Sequence, residues 1–164
     1  MPPIRQFQAT RRNLPHWHQP GATYFLTWRV APGRELAPED RVLALDAVRF
    51  WDTKRWAVYA AVVMPDHAHA LVRPLPRDAT DVTAREFHSL PELTKSVKGY
   101  SARAINRRQG RSEALWQDEG YDRIVRNDRE LEETWGYIRF NPVKAGLVAE
   151  PELYQWLYSA GRAD

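Results

Sequence analysis

The chain has no cysteine among its 164 residues, which removes disulfides, zinc–thiolate sites and cysteine nucleophiles together. It also lacks a long apolar run. The longest, Val58 to Met64, is far too short to span a bilayer, and the N-terminus MPPIRQFQATRRN lacks the apolar centre of a secretory signal. The expectation is one soluble, cytoplasmic domain, and 43% hydrophobic residues suffice for a single core.

Acid is missing from two stretches. Residues 1–34 carry Arg5, Arg11, Arg12, Arg29 and Arg34, and residues 93–112 carry Lys95, Lys98, Arg103, Arg107, Arg108 and Arg111, with no acid in either. The net charge of +3 says little by itself. Its segregation says more, because clustered cations suit a polyanion whose counterions they release. A single basic helix would read as a solvated face; two such stretches with Trp and Tyr beside them favour nucleic acid.

The order of elements reads as strand, helix, strand, strand, helix, strand, helix. TYFLTWRV (23–30) is rich in β-branched and aromatic residues and reads as a strand. Pro38 to Thr53 repeats apolar residues at helical spacing. WAVYAAVVM (56–64) is apolar at nearly every position, as a strand covered on both sides would be. HAHALVR (67–73) follows as its antiparallel neighbour, Leu90 to Arg108 as a second helix with Leu93, Val97, Tyr100 and Ala104 on one side, and 114–126 as an extended segment. Asn127 with Glu130 makes a capping pair for a third helix, which Pro142 should end at or near Asn141. The pattern implies an α+β fold, a ferredoxin-like antiparallel sheet with helices packed on one face. Residues 1–22 read as an irregular basic arm, 23–148 as the main folded domain, and 149–164 as an aromatic tail packing back on it.

His67-Ala68-His69 is the sharpest chemical feature. Residues i and i+2 of a strand share a face, so both imidazoles can address one divalent cation. Such a pair alone is weak evidence, since strand histidines are more often plain surface residues, and a third ligand is needed. The third helix offers Asn141, one turn beyond Tyr137. Tyr137 lies roughly 120° from the middle of the Leu131, Trp135 and Ile138 stripe at about 100° per residue, so it is not simply a core aromatic. A phenol beside an oxygen donor suits attack on a metal-polarised phosphorus. A structural tyrosine and a helix-ending Asn fit the spacing equally well. His16 and His18 form a second pair, in the arm, and read as non-ligands; His88 reads as a surface residue.

VVMPDHAHALV (62–72), LWQDEGYDRIVR (115–126) and YIRFNPVKAGLV (137–148) resemble, in order and spacing, the successive signatures of the REP-associated tyrosine transposases of the HUH superfamily. The resemblance runs from about Tyr24 to Val148. It implies that His67 and His69 bind the metal, that Tyr137 is the nucleophile, and that Asn141 is the further ligand. Ala68 departs from the bulky apolar residue usual between the paired histidines. Tyr121, the rival phenol, has Val125 where a carboxamide would be required; Glu119 and Asp122 have no assigned role. The implied activity is cleavage and rejoining of hairpin-containing single-stranded DNA through a 5′-phosphotyrosine, with Mg²⁺ or Mn²⁺ as cofactor. Phosphate contacts are expected from Arg11, Arg12, Lys95, Lys98, Arg103, Arg107 and Arg108. The protein would be nucleoid-associated, with no membrane partner, as a monomer or homodimer. A hairpin binder that no longer cuts and a relaxase-like nickase are the alternatives.

Overall fold

The computed structural model describes residues 19–83 and 86–161, and the backbone of two short strands before them. Those strands, β1 (Phe7–Gln8) and β2 (His16–Trp17), form an antiparallel ladder with Phe7 opposite Trp17. Four residues of the stretch that its composition marks as irregular are therefore paired as strand.

The main sheet is built from β3 (Thr23–Arg29), β4 (Trp56–Val63), β5 (His67–Pro74), β6 (Tyr121–Val125) and β7 (Leu157–Ser159) in the order β6-β3-β5-β4-β7, every pair antiparallel. Helix α1 (Pro38–Arg49) joins β3 to β4, and α2 (Leu90–Gln109) joins β5 to β6. Setting β7 aside, this is the ferredoxin-like order that the sequence implied. The tail supplies the fifth strand: β7 pairs with β4, Leu157 opposite Val62.

Helices cover both faces of the sheet, not one. On the first face, Tyr24, Leu26, Trp28, Ala68, Ala70 and Val72 pack with Leu45 and Val48 of α1 and with Leu93, Val97 and Ile105 of α2. On the second, Phe25, Val62 and Leu71 pack with Ile138 of α3 (Asp128–Lys144) and with Tyr154. The apolar run of β4 required this arrangement, because alternate side chains of one strand point to opposite faces and all of them needed cover.

Two helices differ from their expected form. The buried stripe of α2 is Leu90, Leu93, Val97, Ser101 and Ile105, and Tyr100 is exposed. Ser101 earns its place inside by bonding Val97 O at 2.7 Å and receiving the Trp116 indole N–H at 2.9 Å. Helix α3 continues through Pro142 to Lys144. The proline forfeits one backbone bond, but Ala145 N–H still reaches Asn141 O at 3.0 Å. Gly146, at φ 76°, then closes the end, with Gly146 and Leu147 N–H groups donating to Val143 and Pro142 carbonyls. Asn141 therefore sits inside a regular helix rather than at its frayed tip.

Candidate active site

The tight turn Pro65-Asp66 joins β4 to β5, with Met64 N–H donating to His67 O at 2.8 Å. Val30 N–H donates to Asp66 O and Leu36 N–H to Pro65 O, at 2.9 and 2.8 Å, which pins the turn to the chain beyond β3. Strand β5 thus starts from a fixed point, and its alternation puts His67 and His69 on the face that α3 covers. In the cross-strand rows His67 opposes Arg29, while His69 lies between Thr27 and Val62. The two imidazole centroids are 4.8 Å apart.

Each imidazole is held by its Nδ1. His67 Nδ1 bonds Asp66 Oδ1 at 2.6 Å, and His69 Nδ1 bonds Thr27 Oγ1 at 2.7 Å. His69 also stacks on Phe25, with centroids 5.2 Å apart and planes 24° from parallel. Burial, with the charges of His67 and Arg29, pushes the His69 pKa down to about 3, so its imidazole is neutral at physiological pH, the form that binds metals. The hydrogen bond from His67 holds the Asp66 carboxyl below its usual range, against the effect of burial.

Tyr137 meets this pair from α3. Its ring contacts His69 edge-on at 5.6 Å and Phe25 at 5.9 Å, and it is 48% exposed, so one edge is packed and the rest open to solvent. Asn141 is one turn further along the same helix and half-buried. Tyr121, 56% exposed, is in the same row and on the same face as His69, but Thr27 stands between them. The phenol against the histidines is therefore Tyr137.

The residues fit a divalent cation. A metal-binding histidine commonly gives its second nitrogen to a carboxylate, hydroxyl or carbonyl, and here both Nδ1 atoms are so engaged, leaving both Nε2 atoms for the ion. Among the described residues no group of three His, Asp or Glu is placed to hold a metal ion.

Four residues of this neighbourhood were not in the sequence-based set: Thr27 and Asp66, which hold the histidines, and Arg29 and Arg123. Arg123 lies over the Phe25 ring at 5.6 Å and pairs with Glu130 at 3.9 Å. Strand alternation could have found Thr27 and Arg29, which share the parity of Phe25.

The expected phosphate contacts divide. Arg11 and Arg12 lie outside the described residues, as do the side chains of His16, Trp17 and His18. Arg108 is committed to the buried carboxylate of Asp40, at 2.5 and 3.0 Å, and Lys98 donates to Gln117 O at 2.8 Å. Arg34, also from a basic stretch, is buried and binds Glu113 O, Ala114 O and the side chains of Asn106 and Gln109. Lys95, Arg103 and Arg107 are exposed on α2, across the sheet from the histidines. His88 is half-buried at the other end of β5, its N–H on Leu75 O.

Comparison with known proteins now adds to this geometry. No family model matches the chain. A Haemophilus influenzae protein described as "Putative REP-associated tyrosine transposase" is 29% identical over 106 residues, 64% of this chain and 58% of that protein. The solved structure of a REP-associated tyrosine transposase bound to a REP hairpin superposes with a TM-score of 0.69 at 19% identity, covering 92% of this chain and 82% of the other. The chain is thus similar in sequence to one protein described as a REP-associated tyrosine transposase, and in fold to another. It matches little more than half the length of its curated relative, and the likeness to the solved transposase is one of fold. A Deinococcus radiodurans transposase structure superposes only at a TM-score of 0.49, with 21% identity over 80% of this chain, and carries no weight.

Proposed function

We propose that the protein is a transposase that binds hairpin-containing single-stranded DNA and cleaves and rejoins it through a 5′-phosphotyrosine on Tyr137. The observation that carries this reading is the packing of the Tyr137 ring on His69, beside His67, with the other nitrogen of each histidine held by an oxygen. The relative's description and the hairpin in the solved neighbour support the choice of DNA.

His67 Nε2, His69 Nε2 and the Asn141 carboxamide oxygen would hold Mg²⁺ or Mn²⁺, which when bound supplies Lewis-acid polarisation of a phosphate oxygen. The Tyr137 hydroxyl, on a side chain about half exposed, gives its proton to solvent and attacks the scissile phosphorus. The O–P bond to Tyr137 forms, the bond to the 3′ oxygen breaks, and that oxygen leaves as a 3′-hydroxyl after taking a proton. Because the phosphodiester is exchanged and not hydrolysed, a second 3′-hydroxyl can attack the phosphotyrosine and release Tyr137, with no nucleotide cofactor needed. Arg29 and Arg123, on the same face of the sheet, are placed to neutralise the backbone on either side. A DNA substrate puts the protein with the nucleoid in the cytoplasm, and no helix among the described residues is long and apolar enough to cross a membrane.

The test is incubation of a labelled single strand bearing a hairpin with Mn²⁺, followed by denaturing electrophoresis. A covalent adduct is expected with the wild type and not with Tyr137→Phe, which keeps the packed ring. An adduct with the Phe variant refutes the nucleophile. Hairpin binding without any adduct in the wild type turns the assignment to a non-cutting binder.

A further inference from the structure

The proposed reaction needs two parts of the chain at a fixed spacing: the β4–β5 turn, from which the strand of His67 and His69 starts, and α3, which carries Tyr137 and Asn141. Helix α3 meets the sheet through Leu131, Trp135 and Ile138, an apolar contact. Such burial is non-directional, so it fixes how close the helix lies but tolerates sliding along the helix axis. A slide of about 1 Å already misplaces a ligand or a nucleophile.

Directional contacts come from the segment that follows α3. It opens with a single 3₁₀ turn, Pro151–Leu153, on a buried Pro151. Towards the sheet, the hydroxyl of the buried Tyr154 donates to Val63 O at 2.7 Å. Trp156 O accepts from Val63 N–H at 2.9 Å. The last residue of β4 is thus held at both backbone groups, and the next, Met64, closes the turn on His67. Towards the helix, the Arg139 guanidinium donates to the Glu152 carboxylate. It lies 4.6 Å over the Trp135 ring, which limits the freedom of the long side chain. Between these anchors, Tyr154 shares a buried cluster with Met64, Ile138 and Phe25. Phe25 is the ring that His69 stacks on and Tyr137 meets edge-on.

We infer that residues 151–156 form a clip that sets the distance from the His67–His69 pair to Tyr137 and Asn141, with Tyr154, Arg139 and Glu152 as its positioning residues. The inference rests on the proposed reading of the site and adds what holds its two halves in register. Glu152 and Tyr154 are two residues apart, just after Pro151, whose ring stiffens the start of that stretch. The turn and the helix are therefore tied to one short piece of chain, and neither shifts without the other. These residues act through the turn and the helix, not on the reacting atoms, so loosening the clip weakens the metal site and slows attack while hairpin recognition is kept.

The experiment compares the whole chain with three variants. Tyr154→Phe keeps the ring but not the hydroxyl, Glu152→Gln weakens the helix-side anchor at an exposed residue, and Ser101→Ala removes a buried hydroxyl on the other face of the sheet. Tm, Mn²⁺ affinity by calorimetry, hairpin affinity without metal, and the rate of adduct formation at saturating Mn²⁺ are read for each. Tyr154→Phe is expected to lower Mn²⁺ affinity about tenfold, the lower end of the loss for groups that orient ligands, and the adduct rate by about tenfold or more. Glu152→Gln, with Tm nearly unchanged, should slow the adduct about two- to fivefold, the scale of an exposed ion pair; it decides the matter even if Tyr154→Phe fails to fold. Hairpin affinity should stay at the wild-type value in both. Ser101→Ala should lower Tm yet keep Mn²⁺ affinity and rate. Wild-type Mn²⁺ affinity and rate in the two clip variants, or equal losses in Ser101→Ala, overturn the clip and leave the proposed function standing. A wild type that neither binds Mn²⁺ nor forms an adduct overturns the proposed function as well.

Discussion

Thr27→Val tests how the candidate site is held. Valine keeps the shape of threonine but leaves His69 Nδ1 without the partner it now has at 2.7 Å, in a side chain only 5% exposed. A buried polar group stranded in this way costs about 1–3 kcal/mol. The added methyl regains about 0.8 kcal/mol by burial, so the net loss is about 0.2–2.2 kcal/mol. For a chain of this size each kcal/mol moves Tm by about 2–4 °C, so metal-free unfolding should fall by at most about 9 °C. The larger effect is on the ion. Loss of a group that orients a ligating histidine typically lowers metal affinity about 10–100-fold, because the ring can then rotate away from the ion. Calorimetric titration with Mn²⁺ separates the two effects, since the stability loss is read without metal and the orientation loss only with it. A variant with the expected fall in Tm but wild-type Mn²⁺ affinity would show that Thr27 merely fills space, and the argument from Nδ1 engagement would fail.

Other expectations follow from the same contacts. Asp40 is fully buried and binds Arg108, Gln109 and the Ala37 N–H; burial raises its pKa, but these bonds outweigh burial and hold it below the usual value. A depressed carboxylate contributes fully above its unfolded pKa of about 3.9 and loses that contribution as pH falls through the folded value. Asp40→Asn should therefore cost about 2–3 kcal/mol at neutral pH, discounted from the full cost of a broken buried pair because Arg108 reaches water, and should flatten the acid limb of Tm against pH. An acid limb unchanged by the substitution would contradict this. Arg29→Gln, opposite His67, should weaken hairpin binding and reduce its salt slope by about one, with Tm unchanged; an unaltered slope would remove Arg29 from the DNA path.

Much of the site could be read from residues alone because strand alternation is strict. Once TYFLTWR and HAHALVR are strands, the shared face of His67 and His69 follows, and the i, i+4 relation of Tyr137 and Asn141 follows from the helix. What could not be read was which elements meet across that face. Thr27 reaches His69 only through the β3–β5 register, a long-range pairing that no local pattern encodes. The apolar run of β4 did announce cover on both sides, which argues against helices on one face, but nothing local says that α3 supplies it. Pro142 misled because its rule concerns a single backbone bond, while the buried Pro142, Ile138 and the Gly146 closure hold the helix together past that loss. The basic stretches misled in another way. Composition cannot tell an exposed cation from Arg34 or Arg108, each tied to acceptors brought near only by the fold.

The most direct test is a crystal of the protein soaked in Mn²⁺ and read for anomalous scattering. One peak shared by the Nε2 atoms of His67 and His69 and the side-chain oxygen of Asn141, with the Tyr137 hydroxyl facing the same opening, is the expected result. A peak held elsewhere, or none at concentrations that support cleavage, would contradict it.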